Sequence, residues 1–346
     1  MSREQSLPTP HRPSRWGEGR VRGSHERHRT RLPLTLTLSP RKSGERGPAP
    51  FHSSRICPRS GRMTPAAIPL LPSIAELSPT CDAWIVDIWG VMHNGARAFD
   101  AAGQACRNFR AGGGIVVLLS NAPRPFGAVV GQMTLLGVDP AAYDGGVTSG
   151  DATRGLIEAW AGKPLLHIGP ERDQGLFDGL GVKLATAEEA QAIVCSGFYD
   201  DTRETPADYA GLFERLAARR LPMICANPDL VVERGDKLVY CAGALAAIYA
   251  EKGGEVVYAG KPYLPIYERT LAAIDRIKGS HVPKERILAI GDGVDTDLLG
   301  AHRAGLRSVF IASAVHLPDG LDERALAQLF ASRPFSPIAA LPALVW

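Results

Sequence analysis

Short apolar runs alternate with helix-length segments along most of this chain, and no other feature constrains its fold more strongly. The first run, residues 83–86, leads to Asp87 and a loop that contains the turn residues Gly90 and Gly95. Apolar runs bounded by turn residues are typical of buried strands in a parallel sheet. Because open α/β sheets bind ligands at the carboxyl ends of their strands, we expect Asp87 to lie at a ligand-binding edge.

The alternation predicts two α/β domains. A Rossmann-like core with a parallel sheet would comprise residues 63–162 and 237–346, and an inserted α/β cap would comprise residues 163–236. Core strands are predicted at residues 83–87, 115–119, 256–259, 287–290 and 308–312, and cap strands at residues 165–168, 192–195 and 223–226. Helices are predicted at residues 101–110, 126–136, 151–160, 206–218, 242–251, 264–277, 297–304 and 322–330.

The composition is that of a globular protein, with 346 residues of which 45% are apolar and 22% are charged. No apolar run approaches the ~18 residues that a membrane span requires, so we expect no membrane partner. The six cysteines are scattered, without the spacing of a metal site or of a Cys-x-x-Cys pair. We therefore expect reduced, mostly buried thiols and a cytoplasmic protein.

Residues 1–62 differ from the rest of the chain in charge. They hold 14 Lys and Arg residues against four acids, whereas residues 63–346 hold 25 against 32. The segment has too few apolar residues for a core, and we expect it to be disordered. Three interpretations remain open: a targeting peptide, a basic nucleic-acid-binding arm, or a translation artefact upstream of Met63, which we favour. Because the body is acidic, we expect no nucleic-acid partner for it.

Chemically useful side chains follow several of the predicted strands. Asp87, Ser120 and Lys261 each lie at or just after a strand end, and Asp292 and Asp297 follow a further strand. Taken singly, each has a plainer interpretation, because serine forms turns, aspartate caps helices and lysine is usually solvated. Their order along the chain carries more information than any one of them.

In this order the motifs resemble the haloacid dehalogenase (HAD) superfamily, and within it the class IIA phosphatase-like hydrolases, whose α/β cap is inserted between the second and third motifs. The resemblance covers roughly residues 82–314. Supporting motifs are Thr148-Ser149, Ala226-Asn227-Pro228-Asp229, Gly260-Lys261-Pro262 and Gly291-Asp292-Gly293-Val294-Asp295-Thr296-Asp297. The first motif, Asp87-Ile88-Trp89-Gly90-Val91, is similar to that of a class IIA subgroup with the form Asp-x-Trp-Gly-Val.

The resemblance implies a phosphatase that acts on a small phosphorylated metabolite through an aspartyl-phosphate on Asp87. Ser120 and Lys261 would be catalytic together with this nucleophile. Ser120, Asn121 and Lys261 would bind the phosphoryl group. In the cap, Phe198, Tyr199, Asp200 and Asp201 are the expected substrate contacts, with an ordinary surface loop as the plainer alternative.

The implied cofactor is Mg²⁺, which prefers oxygen ligands. Its implied ligands are Asp87, the backbone carbonyl of Trp89, Asp292 and Asp297, the last acting through a water molecule or by orienting Lys261. A homodimer formed through the cap is a further expectation from the resemblance.

Trp89 departs from the superfamily pattern. Most of its phosphatases carry an aspartate two residues after the nucleophile, as general acid for the leaving group and base for the hydrolytic water. An indole cannot transfer a proton in this way. Two hypotheses therefore stand: a phosphatase, which we favour, and a phospho-ligand-binding protein with little or no turnover. Activated aryl phosphates, whose leaving groups need little protonation, discriminate between the two.

Overall fold

The computed structural model describes residues 67–346 except residues 235–236, 313–315 and 318–319. The basic segment, residues 1–62, for which we predict disorder, lies outside the described residues. Within the described part of the chain, no helix is both long enough and apolar enough to cross a membrane.

Strands and helices alternate as the sequence predicts. The strands are β1 Ala83–Asp87, β2 Ile115–Ser120, β3 Gly145–Thr148, β4 Pro164–Ile168, β5 Lys183–Leu184, β6 Ala192–Cys195, β7 Met223–Cys225, β8 Val231–Arg234, β9 Lys237–Tyr240, β10 Val256–Tyr258, β11 Ile287–Gly291, β12 Arg307–Ile311 and β13 Ala339–Leu341. The helices are α1 Asp100–Ala111, α2 Phe126–Leu136, α3 Ser149–Glu158, α4 Ala210–Ala218, α5 Ala242–Glu251, α6 Leu264–Lys278, α7 Leu299–Ala304 and α8 Glu323–Phe330. Short 3₁₀ turns lie at Ile74–Glu76, Ser78–Thr80, Pro140–Ala142, Glu171–Leu176, Pro206–Tyr209 and Lys284–Arg286, and a π-helical turn lies at Val294–Leu298.

The first sheet is parallel throughout and has the order β13-β12-β11-β1-β2-β3. Asp87 pairs with Leu119 of β2, and Val86 pairs with Ile290 of β11. The carboxyl ends of β1, β2 and β11 therefore lie side by side, as predicted. The strand order also reverses between β1 and β11, and such switch points are where open α/β sheets bind ligands.

Both faces of the first sheet are covered. Trp84 and Val86 of β1 belong to one buried cluster, to which α1 and α2 contribute, and Ala83 and Ile85 belong to the other, to which α6 and α7 contribute. The indole of Trp84 stacks on the ring of Phe109 with 3.9 Å between centroids. Because both faces are apolar, the strands place their functional polar groups at their ends.

The second sheet is also parallel and has the order β10-β7-β6-β4-β5. Val256 of β10 pairs with Met223 of β7, and Leu245 and Tyr249 of α5 pack into the apolar cluster on one face. The predicted return to the core at residue 237 is therefore wrong, because α5 and β10 belong to the second sheet and the first resumes after Gly260. An α/β pattern does not reveal which sheet a strand joins, since strand pairing is non-local.

A small antiparallel pair, β8 with β9, was not predicted from the sequence. Val231 lies opposite Tyr240 in this pair, and Val232 lies opposite Val239. Side chains of this pair reach the site described next.

Candidate active site

Asp87 is the last residue of β1 and is buried, with 5% of its surface exposed. Its Oδ1 accepts a hydrogen bond of 2.8 Å from the N–H of Ile88 and one of 2.6 Å from Nζ of Lys261. These two donors hold the carboxylate in one orientation at the carboxyl edge of the sheet.

Lys261 lies between two carboxylates. Its Nζ donates to Oδ1 of Asp87 and, at 2.7 Å, to Oδ1 of Asp297, and the residue is 2% exposed. Burial by itself would lower the pKa of Lys261, but the carboxylates of Asp297 and Asp87 raise this pKa well above its ordinary value. Lys261 therefore remains an ammonium ion, as a charge-neutralising residue requires.

Asp292 and Asp297 come from the loop that follows β11. One carboxylate oxygen from each of these residues and one from Asp87 lie within 4.8 Å of one another. Oδ2 of Asp297 accepts a hydrogen bond of 3.2 Å from the N–H of Gly293, and the hydroxyl of Tyr267 donates to the backbone carbonyl of Asp297 at 3.0 Å. The strand end and these contacts fix the position of Asp297.

Gly90 makes room for Asp292. A Cβ atom on Gly90 would lie 2.4 Å from Oδ2 of Asp292, and the φ angle of Gly90 is +88°, in the left-handed region that favours glycine. Two separate features therefore require glycine at position 90: its left-handed backbone conformation and its close contact with the carboxylate of Asp292.

The three carboxylates outnumber the single ammonium of this cluster. Burial raises the pKa of Asp87 well above its ordinary value, and the carboxylate of Asp297 adds to the effect while Lys261 opposes it. Grouped carboxylate oxygens are hard ligands of the kind that Mg²⁺ and Ca²⁺ prefer, and a divalent cation would balance their charge. The donor set therefore fits a divalent metal ion.

Asn121 joins three parts of the site. Its Oδ1 accepts a hydrogen bond of 2.7 Å from the backbone N–H of Lys261, and its Nδ2 donates to Oδ1 of Asp229 at 2.9 Å and to the carbonyl of Lys261 at 3.2 Å. A Cβ atom on Gly260 would lie 2.3 Å from Oδ1 of Asn121. We predict from sequence that Asn121 binds substrate. In the structure, its Oδ1 and Nδ2 both hydrogen-bond the backbone of Lys261 and so position that residue.

A cavity of about 370 Å³ is lined by Ile88, the residue that follows Asp87. Ile88, Trp89 and Ser120 line it at the first sheet, and Oγ of Ser120 accepts a hydrogen bond of 3.1 Å from the N–H of Ala122. Residues of the second sheet and of the β8–β9 pair complete the wall, among them Asp173, Ser196, Phe198, Asp201, Asn227, Asp229, Val232 and Tyr240.

Trp89 and His93 pack together in the lining. Their ring centroids lie 5.0 Å apart in an edge-to-face arrangement, and Nδ1 of His93 accepts a hydrogen bond of 3.0 Å from the N–H of Gly95. Burial lowers the pKa of His93 to about 4, so the imidazole is neutral at pH 7. A neutral imidazole with Nδ1 engaged as an acceptor is a poor proton donor at that pH.

Of the four predicted cap contacts, Phe198 lines this cavity, whereas Tyr199 and Asp200 do not. The hydroxyl of Tyr199 donates to the carbonyl of His167 at 3.2 Å, and Oδ1 of Asp200 accepts from the N–H of Thr202 at 3.0 Å. Their neighbour Asp201 does line it. The local turn decides which of these consecutive residues face the cavity, and the sequence does not specify that turn.

Among the residues of the site that were not assigned a role from the sequence are Arg124, Asp173 and Asp229. The sequence pattern around Asp229 could have indicated a role, because this residue follows Asn227-Pro228 in a loop after an apolar strand. Arg124 and Asp173 have no such pattern, because their proximity arises only when the loop after β2 meets the turn after β4.

Comparisons with known proteins agree with this geometry. Residues 84–183 match the family model described as haloacid dehalogenase-like hydrolase, and residues 258–332 match one described as HAD-hydrolase-like. A solved hydrolase of the haloacid dehalogenase-like family from Brucella suis 1330 is 47% identical, with a TM-score of 0.73, over 80% of this chain and 100% of that chain. This chain belongs to the haloacid dehalogenase-like family.

Two further relatives of this chain have lower sequence identity, and one of them matches over a shorter region. A structure titled "possible sugar phosphatase" from Cytophaga hutchinsonii has a TM-score of 0.67 at 20% identity, covering 79% of this chain and 98% of that chain, which shows a shared fold. The dihydroxyacetone phosphatase of Corynebacterium glutamicum (strain R) is 37% identical over 93 residues. That match spans 27% of this chain and 32% of the relative, so it covers about a third of the relative's length.

Proposed function

We propose that this chain is a Mg²⁺-dependent phosphatase that hydrolyses a small phosphorylated metabolite through an aspartyl-phosphate on Asp87. The observation that carries the proposal is the buried contact of Lys261 with both Asp87 and Asp297, with Asp292 beside them. Phosphoryl transfer needs an in-line nucleophile and neutralisation of charge, and this cluster has groups for both. The partial match to a dihydroxyacetone phosphatase supports a small phosphate ester as substrate.

In the proposed reaction, a carboxylate oxygen of Asp87 forms a bond to phosphorus while the ester P–O bond breaks, and the leaving oxygen takes up a proton from water. Water then attacks the aspartyl-phosphate, which releases inorganic phosphate and regenerates Asp87. Lys261 orients Asp87 and offsets the charge of the phosphoryl oxygens, and the hydroxyl of Ser120 donates a hydrogen bond to one of them.

The metal ligands in this proposal are Asp87, Asp292 and Asp297, together with the backbone carbonyl of Trp89. When bound, Mg²⁺ would reduce the repulsion between an anionic nucleophile and an anionic phosphate ester. The chain's own contribution is to gather the carboxylates: Gly90 admits Asp292, and Lys261 holds Asp297.

Because Trp89 replaces the usual general acid, the proposal predicts that turnover depends on the leaving group of the substrate. Because an indole donates no proton to the leaving oxygen, we expect fast turnover of aryl phosphates and slower turnover of alkyl phosphates. The binding-protein hypothesis differs, since it requires negligible turnover of both classes.

The proposal is tested by assaying the purified protein on 4-nitrophenyl phosphate with Mg²⁺ and with EDTA. Asp87→Asn keeps the size of the side chain but removes the nucleophile, and it should abolish turnover. Asp178→Asn, at an exposed position, is the matched control and should retain it. Turnover of Asp87→Asn at the wild-type rate would show that Asp87 is not the nucleophile.

A further inference from the structure

The cavity contains a buried carboxylate that the proposed phosphoryl chemistry does not use. Asp173 lies in the 3₁₀ turn Glu171–Leu176, which follows β4 of the second sheet, and is only 2% exposed. Its Oδ1 accepts no hydrogen bond from any described residue, although the residue lines the cavity. A buried polar oxygen without a donor is costly, so such an atom in a cavity wall marks a place for a ligand's donor group.

Arg124 lies close to this oxygen. Its Nε is 3.7 Å from Oδ1 of Asp173, which is beyond hydrogen-bond length but close enough for electrostatic attraction. The backbone of Arg124 is held in place, because its carbonyl accepts a hydrogen bond of 2.7 Å from the hydroxyl of Thr148. The cavity therefore presents an acceptor and a cation next to each other.

The other side of Asp173 is supported by polar groups of the second sheet. Ser196 is near enough to lower the pKa of Asp173, and Nε2 of His167 lies 2.9 Å from Oγ of Ser196. Burial raises the pKa of Asp173, and Ser196 and Arg124 act against this rise. A ligand group that donated to Oδ1 would stabilise the carboxylate further.

We infer that Asp173 determines substrate specificity by accepting a hydrogen bond from a hydroxyl of the leaving group, so that small hydroxylated phosphate monoesters are preferred. This inference rests on the proposed phosphatase function. A hydroxyl suits the position because it can donate to Asp173 while its lone pairs face the guanidinium of Arg124. The cavity volume of about 370 Å³ lies near the small end of the ~300–1,000 Å³ found for small-molecule pockets, which favours a short polyol chain.

The test compares glycerol 3-phosphate with n-propyl phosphate, which has the same number of carbons and no hydroxyl. For the wild type we expect kcat/KM to be about 10- to 100-fold higher for glycerol 3-phosphate, the scale of one hydrogen bond to a charged group. In Asp173→Asn and Asp173→Ala this preference should fall to about threefold or less. Asp178→Asn should keep both the wild-type preference and the wild-type kcat/KM for 4-nitrophenyl phosphate, and each Asp173 variant should lose more kcat/KM on glycerol 3-phosphate than on 4-nitrophenyl phosphate.

Two results would overturn the inference. One is a wild type that does not distinguish the two three-carbon esters, and the other is an Asp173 variant that slows all three substrates equally, as a purely structural role would. Binding gives an independent readout: in Asp87→Asn, glycerol 3-phosphate should raise Tm more than n-propyl phosphate, and Asp173→Asn in that background should remove the difference.

The binding readout also separates this inference from the proposed function. If the wild type fails to hydrolyse even 4-nitrophenyl phosphate with Mg²⁺, the phosphatase proposal is wrong, while a retained difference in Tm would still support the role of Asp173. If turnover is present and the Tm difference is absent, the phosphatase proposal stands and the role of Asp173 is refuted.

Discussion

At the scale of single residues, the site depends on glycines, which have no side chain, as well as on its charged side chains. Gly90 has no Cβ, and only for that reason can Asp292 approach the loop after Asp87. Gly260 plays the same part beside Asn121. The glycines of the motifs are therefore requirements of close packing between loops, in addition to being turn formers.

Gly90→Ala should impair the site more than it impairs the fold. A left-handed φ costs a non-glycine residue roughly 1 kcal/mol, and the new methyl group would also displace Asp292. Gly113→Ala is the matched control, because Gly113 has the same φ of +88° but no atom lies within 4 Å of the place where its Cβ would be. Thermal unfolding should show similar losses of stability for both variants, while Mg²⁺-stimulated hydrolysis should fall at least tenfold only for Gly90→Ala. Equal activities would contradict the steric role of Gly90.

Trp89→Asp should narrow the gap between aryl and alkyl phosphates. A carboxylic acid at this position can protonate the leaving oxygen, and positioned general acids contribute about 10²–10⁴-fold, so alkyl phosphate turnover should rise by up to ~10²-fold. Stability should fall, because the ring of Trp89 packs against His93. Rates must therefore be measured per folded molecule, with folding followed by circular dichroism. A wild type equally fast on both substrate classes would mean that another group supplies the proton.

The residues at strand ends could be predicted from sequence, and those that meet through loops could not. Asp87 and Ser120 were placed correctly because a parallel sheet brings the carboxyl ends of its strands together. Arg124 and Asp173 carry no local pattern, since their proximity depends on how the cap sits on the core. Of the four residues predicted as cap contacts, Phe198 and Asp201 line the cavity, and Tyr199 and Asp200 do not.

At the scale of elements, the start of α3 organises the loop that follows Ser120. The hydroxyl of Thr148 donates to the carbonyl of Arg124 at 2.7 Å and accepts from the N–H of Asp151 at 3.0 Å. The carboxylate of Asp151 accepts from the N–H of Phe126 at 3.2 Å, the first residue of α2. One capping box thus joins the starts of two helices to the end of β2.

Thr148→Val should destabilise the protein by about 2 kcal/mol. The substitution keeps the side-chain shape but removes the helix cap and leaves the partly buried carbonyl of Arg124 without this donor. Thr153→Val is the control, because the hydroxyl of Thr153 is equally buried but donates to Ser149 within the same helix, and we expect a cost below about 1 kcal/mol. Urea denaturation measures both values. Similar costs for the two variants would argue against a special role for the cap.

The helices and strands themselves were largely predictable because their apolar periodicity is strong. Helix α2 occupies the predicted residues 126–136, and α5 occupies the predicted residues 242–251. The assignment of α5 and β10 to a sheet failed because their apolar pattern suits either layer. The short strand β13 and the β8–β9 pair were missed because so few residues carry too little periodicity.

At the scale of the whole molecule, the site lies where the two sheets meet. The first sheet supplies Asp87, Ser120 and the carboxylates after β11, and the second sheet and the β8–β9 pair supply about half of the cavity wall. In the proposed reaction, this arrangement would separate the reacting centre from the groups that contact the leaving group. It also buries several titratable residues at the junction.

Stability should decrease as pH falls from about 6.5 to about 4. Burial lowers the pKa of His167 from 6.5 to about 4, so over this range the unfolded chain binds a proton that the folded chain does not. Each such group reduces the free energy of unfolding by at most about 1.4 kcal/mol per pH unit. His167→Gln should flatten the profile between these pH values relative to the wild type, a comparison that cancels the effects of other groups. Unfolding in urea at several pH values measures the slope, and an unchanged slope would exclude His167 as a contributor.

The central claim is that Asp87, Lys261, Asp292 and Asp297 form a metal-dependent site for phosphoryl transfer, and a Mg²⁺ titration of 4-nitrophenyl phosphate hydrolysis by Asp292→Ala tests it most directly. The control is Asp295→Ala, because Asp295 lies in the same loop but its side chain is 65% exposed and pairs with Arg333. We expect Asp292→Ala to stay folded and to lose Mg²⁺-stimulated hydrolysis, while Asp295→Ala keeps it. Full stimulation of Asp292→Ala at the wild-type Mg²⁺ concentration would contradict the claim.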